Sequence, residues 1–467
     1  MAESVKEYES RLFINNSFVA AKSGRSLDVF NPYNGSRVGS VQVAGPDDVD
    51  AAVLACEADL VEKRIPEISR AQTLSMGAPI MFMQHFLGPW IVAAFKSMAG
   101  YADKIQGESF TDQEDGVYKI VEWGPAGVCA AIGTWNGGLA YFATYVGSAV
   151  ASGNTIVYKA SEKSPFDVIL IAELIAEAGF PPGVINIVSG DGETGALLAS
   201  HMQIRVLAFT GSPRTGKIVA ELAAKSNMKK TILELGGKAA GIIFDDCNMD
   251  NALETCATRF VAISGQICTA STRLLVQSTV VEDFTRKIKD VFAKMETVLG
   301  SDPLDPSTGV GTLADEKQLH HVLQGLDMGK KHGTVLIGGS RKGSTGNYVQ
   351  PTIFVDVNQD TPLWREEIYG PVLLIKTFQT EEEAIELAND TEYGLAAQIF
   401  TRDIARAIRV ARKMEAGIVS INSSGIGDNQ APFGGTKGSG HGRTGGLYGV
   451  REFMESKTIK INMHYDG

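Results

Sequence analysis

The sequence predicts an α/β protein made of two successive strand-and-helix halves with a small extended ribbon beside them. Three observations carry this. The chain has 467 residues, too many for one simple core, since domains usually run to about 100–200 residues. From Gly127 to Leu235, and again after Gly241, short β-rich runs alternate with helix-length runs, the pattern of βαβ units with right-handed crossovers. Between Ser109 and Glu122, Val117, Lys119 and Val121 alternate with Tyr118 and Ile120, as an exposed extended segment would.

Taken in order, residues from Arg11 to Val43 form short apolar segments broken by Asn15-Asn16 and Asn31-Pro32-Tyr33-Asn34-Gly35, a β-hairpin entry. Asp47 or Asp48 can cap a helix over Val49–Lys63, and Trp90–Ile105 reads as a longer buried helix. The first alternating series has strands at Val128–Ile132, Thr155–Lys159, Val184–Val188, Val206–Thr210 and Thr231–Leu235, with helices between them. In the second, helices are expected at Asp250–Ile263, Val281–Met295, Asp315–Gly329, Glu381–Asn389 and Ile404–Glu415. A glycine-rich loop, Phe433–Arg443, closes it, and Lys457–Ile461 is a last strand.

Composition narrows function. A net charge of −11 argues against general affinity for nucleic acid or anionic membrane, so an anionic ligand needs a local site. Five cysteines without paired spacing fit a reducing, cytoplasmic setting and no metal site. No apolar run reaches the ~18 residues of a membrane span.

Two glycine-rich turns compete for a phosphate group. Gly190-Asp191-Gly192-Glu193-Thr194-Gly195 matches GxGxxG, yet it places two carboxylates where the ligand is an anion. The next strand-to-helix turn, with Gly211, Ser212, Pro213, Arg214 and Lys217, offers a hydroxyl, a helix start and two cations. Lys159 and Glu162 follow a strand, as a ribose-binding acid should, although a solvated ion pair gives the same spacing. Asn136 has an amide that can donate to an oxyanion, or it simply makes a turn with Gly137-Gly138. Glu234 ends a strand before Gly236-Gly237-Lys238, where a base needs a nearby nucleophile. Cys268 lies on a small-residue turn between Gly265 and Thr269; a thiol there is either a small buried hydrophobe or a nucleophile facing a cleft.

Together these residues resemble the NAD(P)-dependent aldehyde dehydrogenase superfamily over nearly the whole chain. The carriers are Thr134-Trp135-Asn136, Lys159-Ala160-Ser161-Glu162, Phe209-Thr210-Gly211-Ser212, Glu234-Leu235-Gly236-Gly237-Lys238, Gly265-Gln266-Ile267-Cys268, Glu366-Glu367-Ile368-Tyr369-Gly370-Pro371 and Pro432-Phe433-Gly434-Gly435. The resemblance implies a Rossmann-like cofactor domain (1–106 and 125–237), an α/β catalytic domain (238–445) and an oligomerisation ribbon (107–124 and 446–467). It implies Cys268 as nucleophile, Asn136 as oxyanion donor and Glu234 as base, acting on a small-molecule aldehyde. Trp135, Lys159, Glu162, Gly211, Ser212, Leu235, Glu367 and Tyr369 would hold the cofactor. Gly137, Tyr141, Ile267, Thr269 and Phe433 would line the substrate tunnel. A homodimer or homotetramer is implied.

Glu162 opposes a 2′-phosphate, which favours NAD, with NADP the alternative that Arg214 supports by adding a cation to the turn. The chain also departs from that pattern. Between Glu57 and Gly77 it lacks most of a helical hairpin, and Gly137-Gly138 replace a segment usually containing proline, an opening suited to a bulky or aromatic aldehyde. Thr444 stands where several relatives carry a second glutamate. A catalytically impaired or non-enzymatic scaffold on the same fold is the rival reading.

Overall fold

A computed structural model describes residues 8–44, 64–111, 116–424 and 429–464. The expected helix over Val49–Lys63 lies outside the described residues.

The first alternating series forms the middle of a sheet ordered Ser17–Val19, Leu12–Ile14, Ile185–Val188, Thr155–Lys159, Val128–Ile132, Val206–Gly211, Lys230–Leu235 and Gly440–His441. Its five inner strands run parallel. The entry hairpin and the short Gly440–His441 strand add antiparallel edges. Because both faces are covered, these strands are mostly apolar, with polar residues such as Lys159, Thr210 and Glu234 toward their C-terminal ends. Helices Gly138–Ala151 and Phe166–Glu177 bury Phe142, Tyr145, Phe166 and Ile171 on one face, while Leu198 and Val219 pack the other.

The second sheet runs Thr334–Ile337, Thr352–Val355, Val372–Phe378, Ser271–Gln277, Ala239–Ile243, Ala396–Phe400 and Ile418–Ile421, all parallel except at the Thr334–Ile337 edge. Trp364, Phe354 and Phe378 fill one face; Phe284, Phe292 and Phe400 fill the other. The ribbon is a separate three-stranded sheet in which Met454–Asn462 pairs antiparallel with Val117–Pro125 and keeps its other edge open.

Several elements differ from the sequence expectation. The helix expected over Trp90–Ile105 is Gly88–Ala99, and it follows Ile80–Phe82 through a wide π turn, Met83–Leu87. The Pro89 ring crowds the carbonyl four residues back, and the widened π turn before it relieves that clash. Tyr101 and Ile105 are apolar for another reason: they pack with Trp123 beside Met98, Val450 and Met454. Asp250–Ile263 is likewise opened by a π turn at Glu254–Thr258. The helix at Ile404 stops at Ala411. Ile65–Met76, unforeseen, is a helix ended by Gly77 at φ +79°. The Phe433–Arg443 loop contains two short strands, because Thr436–Lys437 pairs with Tyr393–Gly394 and Gly440–His441 with Leu233–Glu234. Among the described residues no helix is long and apolar enough to cross a membrane.

Candidate active site

The two sheets meet where the C-terminal ends of the first face the start of strand Ser271–Gln277, and Cys268 sits in that junction. The preceding helix ends at Ala262, and Ser264 (φ +54°) and Gly265 (φ +69°) turn the chain sharply. Gly265 is required twice over: its conformation suits glycine, and a Cβ there would fall 2.2 Å from the carbonyl oxygen of Gly370. Gln266, fully buried, then fixes the turn from inside. Its Nε2 donates to the carbonyls of Ile263 (2.9 Å) and Thr312 (3.0 Å), and its Oε1 accepts from Ala314 N–H (2.9 Å).

Of the four described cysteines, Cys129, Cys247 and Cys256 are buried and Cys268 alone is partly exposed. Its Sγ lies 3.9 Å from the hydroxyl of Tyr141. Burial, with the nearby Glu367 and Glu234 carboxyls, pushes its thiol up to about 12. A thiol so raised rests protonated, and for it to act as a nucleophile a base would have to take its proton.

Asn136 comes from the first sheet. Strand Val128–Ile132 ends in a turn held by Trp135, whose carbonyl accepts from Gln72 Nε2 (2.9 Å) and Ser164 Oγ (2.8 Å). The Asn136 amide donates to Gln266 O at 3.0 Å and accepts from Thr134 Oγ1 at 3.0 Å. Its second N–H is available for a ligand. The helix beginning at Gly138 is capped from a neighbour: the buried Asp167 carboxylate accepts from Leu139 and Val168 N–H, and burial pushes its carboxyl up to about 7.

Glu234 lies between Thr210 on one neighbouring strand and Gly440 on the other. It is 2 % exposed, and neither carboxyl oxygen has a hydrogen-bond partner. Burial raises its carboxyl well above the usual carboxylate range; the Arg443 cation opposes this and Glu452 reinforces it. Space is tight, since a Cβ on Gly434 would stand 2.7 Å from Glu234 Oε1. A buried, unpartnered carboxylate is a strong base once ionised.

Cys268, Asn136, Tyr141 and Phe433 stand on a wall shared by two cavities. The polar one, about 370 Å³, also reaches Trp135, Gly211, Ser212, Leu235, Glu367 and Tyr369, together with Glu234. Ser212 caps helix Pro213–Ser226 by accepting from Thr215 N–H at 3.3 Å, and Arg214 in its first turn faces the cavity. A helix N-terminus beside a guanidinium suits a pyrophosphate. Glu367, with its carboxyl pushed up to about 7 by burial, accepts from Gly237 N–H at 3.0 Å. A Cβ on Gly236 would stand 2.1 Å from Glu367 Oε2, so glycine is needed for this approach. Trp135 and Tyr369 meet edge-to-face at 5.4 Å. Helix start, cation, buried carboxyl and aromatic faces together fit a dinucleotide.

Lys159 and Glu162 do not line this cavity: buried Lys159 donates to Ala160 O (3.1 Å) and Glu162 Oε2 (3.4 Å), and Glu162 is 44 % exposed. The rival GxGxxG turn is elsewhere too. There Asp191 caps helix Gly192–Ser200 and binds Arg25 at 2.6 Å, so its carboxylates serve structure.

The second cavity, about 150 Å³, is lined by the expected Gly137, Tyr141, Ile267, Thr269 and Phe433, and by Phe82, Phe86, Leu87, Trp90 and Asn429, which sequence reasoning missed. A signal existed: Phe82, Phe86 and Trp90 recur at four-residue spacing along one helix face. Gln318 and His321, also missed, reach the polar cavity from helix Glu316–His332, which Asp315 caps. The Asp315 carboxylate binds Lys163 at 2.7 Å, and the Lys163 ammonium lies 5.1 Å from the Trp135 ring centre, linking the two halves across the cleft.

Comparison with known proteins gives a consistent picture. A sequence model of the aldehyde dehydrogenase family matches residues 53–459. An aldehyde dehydrogenase of Emericella nidulans is 39 % identical over 477 residues, covering 97 % of this chain and 95 % of that protein. Human retinal dehydrogenase 2 is 39 % identical over 481 residues, covering 97 % and 92 %. Among solved structures, gamma-glutamyl-gamma-aminobutyraldehyde dehydrogenase from Burkholderia cenocepacia J2315 superposes with a TM-score of 0.93 at 36 % identity, covering 98 % of each chain. An indole-3-acetaldehyde dehydrogenase in complex with NAD+ does so with a TM-score of 0.92 at 35 % identity, covering 98 % of this chain and 97 % of that one.

Proposed function

The chain belongs to the aldehyde dehydrogenase family, and from that premise we propose that it oxidises an aldehyde to a carboxylic acid through a thioester on Cys268. The observation that supports this best is the convergence of Cys268, Asn136 and Glu234 on the polar cavity. Glu234, ionised, takes the thiol proton, and the thiolate adds to the aldehyde carbon. The free N–H of Asn136 and the backbone N–H of Cys268 hold the resulting oxyanion. A nicotinamide dinucleotide held by Ser212, Arg214 and Glu367 would supply the hydride acceptor that oxidation to a thioester needs. Glu234, having released the thiol proton to solvent, takes a proton from water; the hydroxide adds to the thioester carbonyl and expels the Cys268 thiolate, which Glu234 reprotonates as the acid leaves.

Ser212, Gly211 and Arg214 would hold the pyrophosphate, with Leu235 beside them, Glu367 a ribose, and Trp135 and Tyr369 the flat ring. Lys159 and Glu162 lie outside the polar cavity and would, by the family resemblance, hold the other ribose. NAD is the preferred form, because the exposed Glu162 carboxylate repels a 2′-phosphate, and an indole-3-acetaldehyde dehydrogenase of similar structure was solved with NAD+. The aromatic lining from Phe82, Phe86 and Trp90 favours a bulky or aromatic aldehyde. The open edge of strand Met454–Asn462, which exposes Ile459 and Ile461, is assigned to pairing with a second copy in a dimer or tetramer.

The test is to mix the protein with NAD or NADP and a panel of aliphatic and aromatic aldehydes while following reduced nicotinamide by absorbance. Reduction with an aromatic aldehyde and NAD is expected. Silence with every pair returns the chain to the idle-scaffold reading.

A further inference from the structure

Tyr141 lines both cavities, and its hydroxyl, 3.9 Å from Cys268 Sγ, has that sulfur as its only hydrogen-bond partner among the described residues. The ring, rather than a polar tether, sets this position. Tyr141 and Tyr145 follow one another at four-residue spacing on helix Gly138–Ala151, and their rings stack at 5.9 Å between centres and 28° between planes. Tyr145 is fully buried and is anchored by a 2.6 Å hydrogen bond between its hydroxyl and Thr210 Oγ1. Thr210 in turn pairs with Glu234 on the neighbouring strand. Gly137 touches the ring from its own turn, since a Cβ there would stand 3.7 Å from Tyr141 Cε2.

While both groups are neutral, either can donate to the other. Once Cys268 ionises, its sulfur can only accept, and the Tyr141 O–H is the donor already beside it. Burial and nearby charge raise the Tyr141 hydroxyl well above its ordinary range, so it keeps its proton and cannot serve as a base. A contact of 3.9 Å is long for neutral sulfur, but charge-assisted bonds are shorter and stronger, and catalytic hydrogen bonds often tighten only as charge develops. The other titratable groups close enough to interact with the sulfur are Glu367, Glu234, Tyr145 and Tyr369, and the two carboxyls oppose its ionisation. We propose that Tyr141 is a further catalytic residue, its hydroxyl donating to the Cys268 sulfur whenever that sulfur is charged: as the thiolate that attacks the aldehyde, and as the thiolate expelled when the thioester is hydrolysed. No bond to Tyr141 forms or breaks, and the proton that Cys268 gives up goes to Glu234. This rests on the assignment of Cys268 as the nucleophile of this site.

The experiment measures alkylation of Cys268, located by peptide mass, in the wild type and in Tyr141→Phe at about pH 8, where the thiolate is the reactive form. Two reagents are used, iodoacetamide and the larger N-ethylmaleimide. Neither aldehyde nor cofactor is needed, so the result is separate from that of the turnover assay. Losing a hydrogen bond to a charged group should cut the thiolate population about tenfold, and the greater nucleophilicity of a less acidic thiol restores about threefold of it. Both reagents should therefore react about threefold more slowly with the variant, and kcat/KM for an aldehyde at saturating NAD should fall with them. The variant keeps the ring and its stacking, so its circular dichroism should match wild type. Equal alkylation rates in the two proteins overturn the proposal and leave the enzyme reading intact. Slowing of N-ethylmaleimide alone overturns it too, because that marks a changed passage rather than a changed thiolate. Aldehyde oxidation that persists in Cys268→Ala, or silence with every aldehyde, removes the underlying reading and the catalytic role of Tyr141 with it, even where alkylation slows.

Discussion

The side-chain amide of Asn136 donates to the backbone carbonyl of Gln266 at 3.0 Å, two residues before Cys268. This bond joins a turn of the first sheet to the Cys268 turn of the second, so the proposed oxyanion donor is tethered to the proposed nucleophile. Asn136→Ala removes both the tether and the donor. It should lower kcat by about 10²–10³ with a smaller change in KM, read from steady-state kinetics on protein whose circular dichroism matches wild type.

Gly265→Ala tests the turn itself. Its Cβ would fall 2.2 Å from a carbonyl oxygen at a φ of +69°, so the backbone must shift. The change should destabilise the fold by about 1–3 kcal/mol and misplace Cys268. Chemical denaturation and initial rates should therefore both fall, whereas an unchanged rate would mean the turn accommodates the methyl group.

The pH dependence of thioester hydrolysis follows from Glu234. Only its ionised form is a base, and burial raises its carboxyl. Single-turnover hydrolysis should therefore rise with pH through a midpoint well above the usual carboxylate range. The charged and titratable groups around it are Arg443 and Glu452, with Tyr141, Tyr145 and Cys268 close enough to interact with its charge. Glu452→Gln removes a negative charge, so the midpoint should move to lower pH. A midpoint that stays in place would show that Glu452 does not reach the base.

Asp167 predicts a stability effect separate from chemistry. Its carboxyl is raised from 3.8 to about 7 in the folded chain. The folded state thus holds the proton more tightly, and the associated stability is complete below about pH 4 and lost as pH rises through about 7. Thermal unfolding should show Asp167→Asn to be less pH-sensitive than wild type across that window.

Much of this was legible in the sequence, because strand ends and tight turns leave chemical marks. Asn136 beside two glycines, Glu234 before Gly236-Gly237 and Cys268 after Gly265 each sit where the backbone must bend, and the structure brings all three to the polar cavity. The rejection of the Gly190 turn rested on charge alone, and its carboxylates indeed engage Arg25. What stayed hidden depends on packing between distant segments. The aromatic stripe at Phe82, Phe86 and Trp90 reads as ordinary core, and nothing local says that it faces a cavity rather than a sheet. Asn429 meets Trp90 only through the fold. Lys159 and Glu162 carry a familiar spacing, and their ammonium and carboxylate meet at 3.4 Å outside the lining of the polar cavity.

The most direct test of the central claim is intact-mass and peptide-mass analysis of Glu234→Gln after incubation with NAD and benzaldehyde. Without Glu234 the thiol loses its proton only to solvent base, so acylation slows, and hydrolysis, which must deprotonate the less acidic water, slows further. An acyl group should therefore accumulate on the peptide containing Cys268, alongside a slowed single burst of reduced nicotinamide, and Cys268→Ala should show neither. Steady turnover by Glu234→Gln with no acyl adduct, or an adduct on another residue, would contradict the assignment of these two side chains.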